Sequence, residues 1–109
     1  MPDLKEIEVR SGVNGNILYL HFVHVYPTGQ GLGLQAMVEV LKRAMEAKCM
    51  IIRLDDMSSR YRKSHNLYTK VGFVYDSSLG CEMSCRTSTL SRHMRSFEIK
   101  PQASSMKDI

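Results

Sequence analysis

The apolar positions of this chain keep a strand period at its start, a helix period in its middle and no period at its end. In residues 4–12, Leu4, Ile7 and Val9 alternate imperfectly with charges, which predicts an edge strand. Asn14-Gly15-Asn16 then predicts a hairpin turn, because Asn and Gly tolerate positive φ. The next run, Ile17 to Val25, is β-branched and aromatic and apolar on both alternations, so it reads as a strand covered on both faces and central in its sheet. Beyond a glycine-rich stretch, Leu34, Met37, Val38, Leu41 and Met45 recur at i, i+3, i+4, i+7 and i+11, while Glu39, Lys42, Arg43 and Glu46 take the other side. That is the period of an amphipathic helix, ending near Ala47-Lys48.

Cys49 to Leu54 reads as a second buried strand, and strand, crossover helix and strand together predict a parallel βαβ unit. The polar residues Asp55 to Ser59 offer helix caps, and Tyr61, His65 and Tyr68 at i, i+4 and i+7 predict a short helix running to about Lys70 and stopped by Gly72. Phe73-Val74-Tyr75 and Glu82 to Arg86 read as strands joined through the turn-prone Asp76 to Gly80, a hairpin. Past Thr89 the chain is polar and aperiodic. The pattern therefore predicts a mixed α/β fold in one domain over residues 1–89, with a polar tail over 90–109.

At 109 residues, 43% hydrophobic and 24% charged, the chain has the composition of one small globular domain, and a homodimer would enlarge a core of that size. Its apolar runs fall far short of the roughly 20 residues that cross a bilayer. The N-terminal residues lack a signal-peptide layout, which points to a cytoplasmic or nuclear protein. Cys49, Cys81 and Cys85 form no CxxC pair and read as reduced thiols rather than a disulfide framework or a zinc site; no metal is expected. A net charge of +4 suits an anionic partner, either nucleic acid or a phosphorylated cofactor.

The glycine-rich stretch, Thr28-Gly29-Gln30-Gly31-Leu32-Gly33, stands between a strand and a helix. Such a turn aims backbone N–H groups and the positive end of the helix dipole at one point, which suits phosphate oxygens. A plain chain reversal is the competing reading. The spacing is not GxGxxG, since Leu34 and Ala36 stand where its third glycine would, and no GK[ST] follows.

A second constellation, Leu67-Tyr68-Thr69-Lys70-Val71-Gly72-Phe73, follows about 35 residues later. Together the two segments resemble the GNAT superfamily of acyl-CoA-dependent N-acyltransferases, over roughly Ile17 to Arg86: the turn is similar to the family's [RQ]-x-x-G-x-[GA] loop and the second segment to its LYxKxGF motif. The resemblance implies a twisted GNAT-like sheet with a C-terminal helix plus hairpin and acetyl-CoA as acyl donor. Backbone amides of the turn, Thr28, Gly29, Gln30, Gly31 and Gly33, would hold the pyrophosphate, and the backbone of Phe22, Val23 and Val25 would pair with the pantetheine arm. Tyr68 would lie at the thioester and protonate the leaving thiolate, a task suited to a phenol whose ordinary pKa of about 10 keeps it protonated at neutral pH. Thr28 departs from the loop's usual Arg or Gln, and Tyr61 stands where the family often has Asn. Only 16 residues precede Ile17, so the family's N-terminal elements are reduced and the acceptor site is expected to be open, completed by another subunit or missing.

An amine acceptor must lose a proton before it attacks. Asp55 and Asp56, at the end of the second parallel strand, are candidate bases, with helix capping as the competing role; His21 and His24 are further candidates. Arg60, Arg62 and Lys63 beside Tyr61 read as a solvated face or as neighbours of the adenosine phosphates, and a nucleic-acid partner is unlikely. The leading expectation is an N-acyltransferase acting on a primary amine of a protein or small molecule. A catalytically inactive binding module of the same fold, and more weakly a small basic nucleic-acid-binding domain, remain alternatives.

Overall fold

The computed structural model describes residues 5–27, 31–58, 61–62 and 66–96. Strand β1 (Glu6–Asn14) turns at Gly15, whose φ of 64° suits glycine, into β2 (Ile17–Tyr26), and the two pair antiparallel. Helix α1 (Leu32–Glu46) crosses to β3 (Ile51–Asp55), which pairs parallel with β2. The single-turn helix α2 (Leu67–Lys70) leads to β4 (Val74–Tyr75), which pairs antiparallel with β5 (Glu82–Arg86). Helix α3 (87–96) follows directly. The sheet order is β1-β2-β3-β5-β4, an open five-stranded mixed sheet. The mixed α/β architecture with a parallel βαβ unit and a C-terminal hairpin is thus as the sequence pattern predicts.

Four local expectations are corrected. β3, not β2, is the middle strand, and β2 is not covered on both faces: Leu18 and Leu20 are buried, whereas Phe22 and Tyr26 are 44% and 53% exposed. Apolar side chains on both alternations here mean one core face and one aromatic surface face.

The buried side of α1 is Leu32, Ala36, Met37, Val40 and Ala44, while Val38 and Met45 lie outside. Counting only large apolar residues misplaces the stripe, because Ala36 and Ala44 are the small residues that let the helix approach the sheet. Fully buried, Met37 and Val40 each contribute about 1.5–3 kcal/mol.

The helix predicted from Tyr61 shortens to α2. Asn66 caps it, its side-chain oxygen accepting from the N–H groups of Tyr68 and Thr69 at 2.8 and 3.2 Å, and Arg62 sits in a left-handed turn at φ 56°. His65 lies outside the described residues.

The polar segment after Thr89 does not begin as a tail. Helix α3 puts Leu90 and Met94 into the same core as Leu18, Met37, Ile52 and Phe73. Its start is tied to β3, with the Thr87 N–H and hydroxyl donating to the carbonyls of Met50 and Cys49 at 2.9 and 2.8 Å. Two core residues one turn apart are too few to register as a period.

Candidate functional site

The site starts from a mismatch in strand length. β2 and β3 pair over Ile17 to Leu20 against Ile51 to Leu54; β3 ends at Asp55, while β2 runs on to Tyr26 with β1 as its only partner strand among the described residues. From His21 onward the β2 edge that had faced β3 is therefore unpaired among the described residues. Alternate residues there present backbone N–H and C=O groups to the gap, as any open strand edge does. The parting coincides with a bulge: Arg10 faces Phe22 and Ser11 faces Leu20, so His21 is the extra residue on β2.

A cavity of about 220 Å³ opens into this gap. Leu20 to Val23 of β2 form one wall, Leu54 and Asp55 the end of β3, and Met57, Ser58 and Tyr68 the remainder. A second cavity of about 160 Å³ shares Leu20, His21, Leu54 and Asp55 with the first and adds Arg53, Asp76 and Glu82. His21 and Asp55 thus stand at the boundary of both. Val25 is partly buried further along the same strand.

Tyr68 is half-buried, its ring edge-on to Phe73 at 6.0 Å. Burial, and secondarily the negative charge of Asp56, pushes its phenol above the usual value, so the group is protonated at neutral pH. Its hydroxyl makes no hydrogen bond to another described residue.

Asp55 and Asp56, alike in sequence, part company here. Asp55 is exposed and faces both cavities. Asp56 is 1% exposed and accepts from the Ser58 hydroxyl at 2.6 Å, the Ser58 N–H at 3.1 Å, the Tyr75 hydroxyl at 2.6 Å and the Asn66 amide at 2.7 Å. Burial alone would raise its pKa, but these four donors together outweigh it and hold the carboxyl below its ordinary range. A saturated carboxylate of this kind is a poor base, and the geometry places Asp56 in the scaffold of the site. It does not cap α2 itself; Asn66 does, with Asp56 behind it.

The glycine turn is only partly described. Thr28, Gly29 and Gln30 lie outside the described residues. Gly31 caps α1 in the left-handed region at φ 76° without a side-chain cap hydrogen bond, and the first turn carries no acidic residue. Gly33 sits against α2: a Cβ there would lie 3.0 Å from Leu67 Cδ2. The start of α1 and the segment bearing Tyr68 are therefore in contact.

Of the remaining candidates, His24 is exposed, lines neither cavity and stacks on Phe22 with ring centroids 6.3 Å apart. Arg62 is engaged: its guanidinium lies 4.2 Å from the Tyr75 ring centroid and donates to the carbonyls of Ser77 and Gly80 at 2.6 and 2.9 Å. It is not available to a phosphate. Arg60 and Lys63 lie outside the described residues. Tyr61 donates to the Gly80 carbonyl at 3.1 Å, on the hairpin rather than at the cavity. Cys49 and Cys85 are buried free thiols, Cys81 a partly exposed one. Asn66, Tyr75 and Met57 escaped the sequence reading; only Asn66 carried a signal, as a cap residue directly before Leu67-Tyr68.

Among solved structures, a tyrosine-to-phenylalanine mutant of the AtaT toxin bound to the C-terminus of the antitoxin AtaR and acetyl-CoA is similar over 79% of this chain and 59% of that one, at 12% sequence identity and a TM-score of 0.49. The same mutant bound to the antitoxin C-terminus matches over 80% of this chain and 60% of that one, again at 12% identity, with a TM-score of 0.48. The chain thus spans about three fifths of the length of these structures. No family model and no curated protein matches the sequence.

Proposed function

We propose that this chain binds an acyl-CoA and transfers its acyl group, acetyl being the simplest case, to a primary amine. One observation carries the reading: β2 parts from β3 after Leu20, and the cavity that opens in the gap has Tyr68 in its wall. An extended pantetheine arm, with two amide groups, fits the open backbone from Phe22 to Val25 as an added strand would. The pyrophosphate then falls to the turn from Thr28 to Gly33 at the start of α1, and the thioester to the Tyr68 end.

In this reading the amine lone pair attacks the thioester carbonyl carbon, and the tetrahedral intermediate expels the coenzyme thiolate as the C–S bond breaks. Tyr68 gives that sulfur its hydroxyl proton and is reprotonated from solvent; a phenol held neutral by burial suits this general-acid role. The proton lost by the amine goes to Asp55 or His21, which face the adjoining cavity, directly or through water. Asp56, one of the two aspartates first considered as base, takes no part in that transfer.

Thermal unfolding with and without acetyl-CoA tests the binding step, since a ligand held only by the folded state adds RT ln(1 + [L]/Kd). Free-thiol release over a panel of amines tests transfer. A stabilised protein that releases no thiol from any amine is a binding module; salt-sensitive oligonucleotide binding without a cofactor shift would instead favour a nucleic-acid role.

A further inference from the structure

Behind Tyr68 stand two residues that line neither cavity. Asp56 and Asn66 are each 1% exposed, and they are the only buried polar side chains among the described residues. They form one relay: the Tyr75 hydroxyl and the Asn66 amide both donate to Asp56 Oδ2, at 2.6 and 2.7 Å, and Asn66 Oδ1 accepts from the backbone N–H of Tyr68 at 2.8 Å. The Asn66 carbonyl also accepts from the Thr69 hydroxyl at 2.9 Å. The far end is fastened too, because the Arg62 N–H donates to the Tyr75 hydroxyl at 2.7 Å and the Arg62 guanidinium stacks on its ring.

An exposed Ser or Asp would cap a four-residue helix as well. Burying an amide and a carboxylate to do so carries a desolvation cost that capping alone does not require. What the relay adds is direction: it joins the end of β3, the hairpin and α2 at the residue before Leu67-Tyr68. We propose that Asp56 and Asn66 are positioning residues for Tyr68, fixing where its hydroxyl stands in the cavity wall. This rests on the acyltransfer reading for its kinetic consequence but not for its geometry. Among the described residues, His21 from β2 and Asp55 from β3 are the ionisable groups that line the cavity with Tyr68, and Asp56 from the connecting segment acts on the phenol through its charge. Of these charges, Asp56 bears on Tyr68, opposing a second negative charge nearby.

Two variants separate positioning from simple support. Asn66→Ser keeps a capping oxygen but is too short to reach Asp56. Its kcat should fall by about 10-fold or more with the KM for acetyl-CoA little changed, as misplacement of a reacting group does. Restoration of wild-type kcat by serine would overturn the proposal. Asp56→Asn keeps the shape and removes the charge. In tyrosinate absorbance titrations, taking the difference against Tyr68→Phe in each background, the Tyr68 midpoint should move to lower pH in Asp56→Asn. An unmoved midpoint in a folded variant contradicts it. Should Asp56→Asn not fold, the Asn66→Ser titration decides: a Tyr68 midpoint identical to wild type counts against positioning. The titration needs no cofactor, so an absence of acetyl-CoA binding would sink the functional reading while leaving this inference to stand or fall on its own data.

Discussion

Gly33 and Leu67 meet with no side chain to spare between them: a Cβ on Gly33 would stand 3.0 Å from Leu67 Cδ2. This contact joins the start of α1 to the segment that carries Tyr68, and so joins the two ends proposed for one cofactor. Alanine at this position gains about 0.5–1 kcal/mol of helix propensity, which offsets the crowding of a flexible leucine methyl. Valine does not: Gly33→Val should lower stability by about 1–3 kcal/mol in urea unfolding and weaken coenzyme A binding, whereas Gly33→Ala should hold stability near wild type. Equal stability for Val and Ala would show that the two segments are not packed as described.

Asp56 makes stability depend on pH in a definite direction. Its folded pKa lies below the ordinary value of 3.8, so its contribution is complete above that value and is lost as pH falls through the lowered one. The melting temperature should therefore drop below about pH 4, and Asp56→Asn should flatten that acid limb. At neutral pH Asp56→Ala leaves the Asn66 amide and the Tyr75 hydroxyl without this acceptor. A total loss of about 1–3 kcal/mol is expected by chemical denaturation, most of it from the buried Asn66 amide, since the Tyr75 hydroxyl is only partly buried.

Arg43 guards the exposed edge of the sheet. From α1 it donates to the Val9 carbonyl at 2.9 Å and to the Ser11 hydroxyl at 3.1 Å, while pairing with Glu39 at 2.8 Å. The ion pair is partly exposed and worth about 0–1 kcal/mol. The blocked carbonyl matters more, because an open edge strand templates association. Sedimentation velocity should show Arg43→Ala gaining mass with concentration more steeply than the parent; identical profiles would remove this role.

The three thiols should react unequally. Cys49 is 4% exposed, and burial pushes the Cys85 thiol up to about 11, so neither offers an accessible thiolate near neutral pH. Under native conditions Ellman's reagent should modify one thiol rapidly, and Cys81→Ser should abolish that phase.

What the sequence made legible follows from how many residues carry each signal. The hairpin rests on the turn residues Asn14-Gly15-Asn16, α1 and the βαβ unit rest on long apolar runs, and all are present. Helix α3 rests on Leu90 and Met94, and its burial comes from tertiary contact that no local period announces. Phe22, Val23 and Tyr68 are brought to one cavity by the early end of β3, a difference in strand length that neither strand's composition states. The split between Asp55 and Asp56 was invisible for another reason: adjacent strand-end residues point opposite ways, and only the partners, Tyr75 and Asn66, distinguish a saturated carboxylate from a free one.

The central claim is that the open edge of β2 receives the cofactor. Amide hydrogen exchange followed with and without millimolar coenzyme A tests it most directly. The account predicts new protection at the amides from Phe22 to Val25 that face the gap, with protection at the start of α1. Unchanged exchange along β2 at saturating coenzyme A, or protection confined to the β4–β5 hairpin, would contradict it.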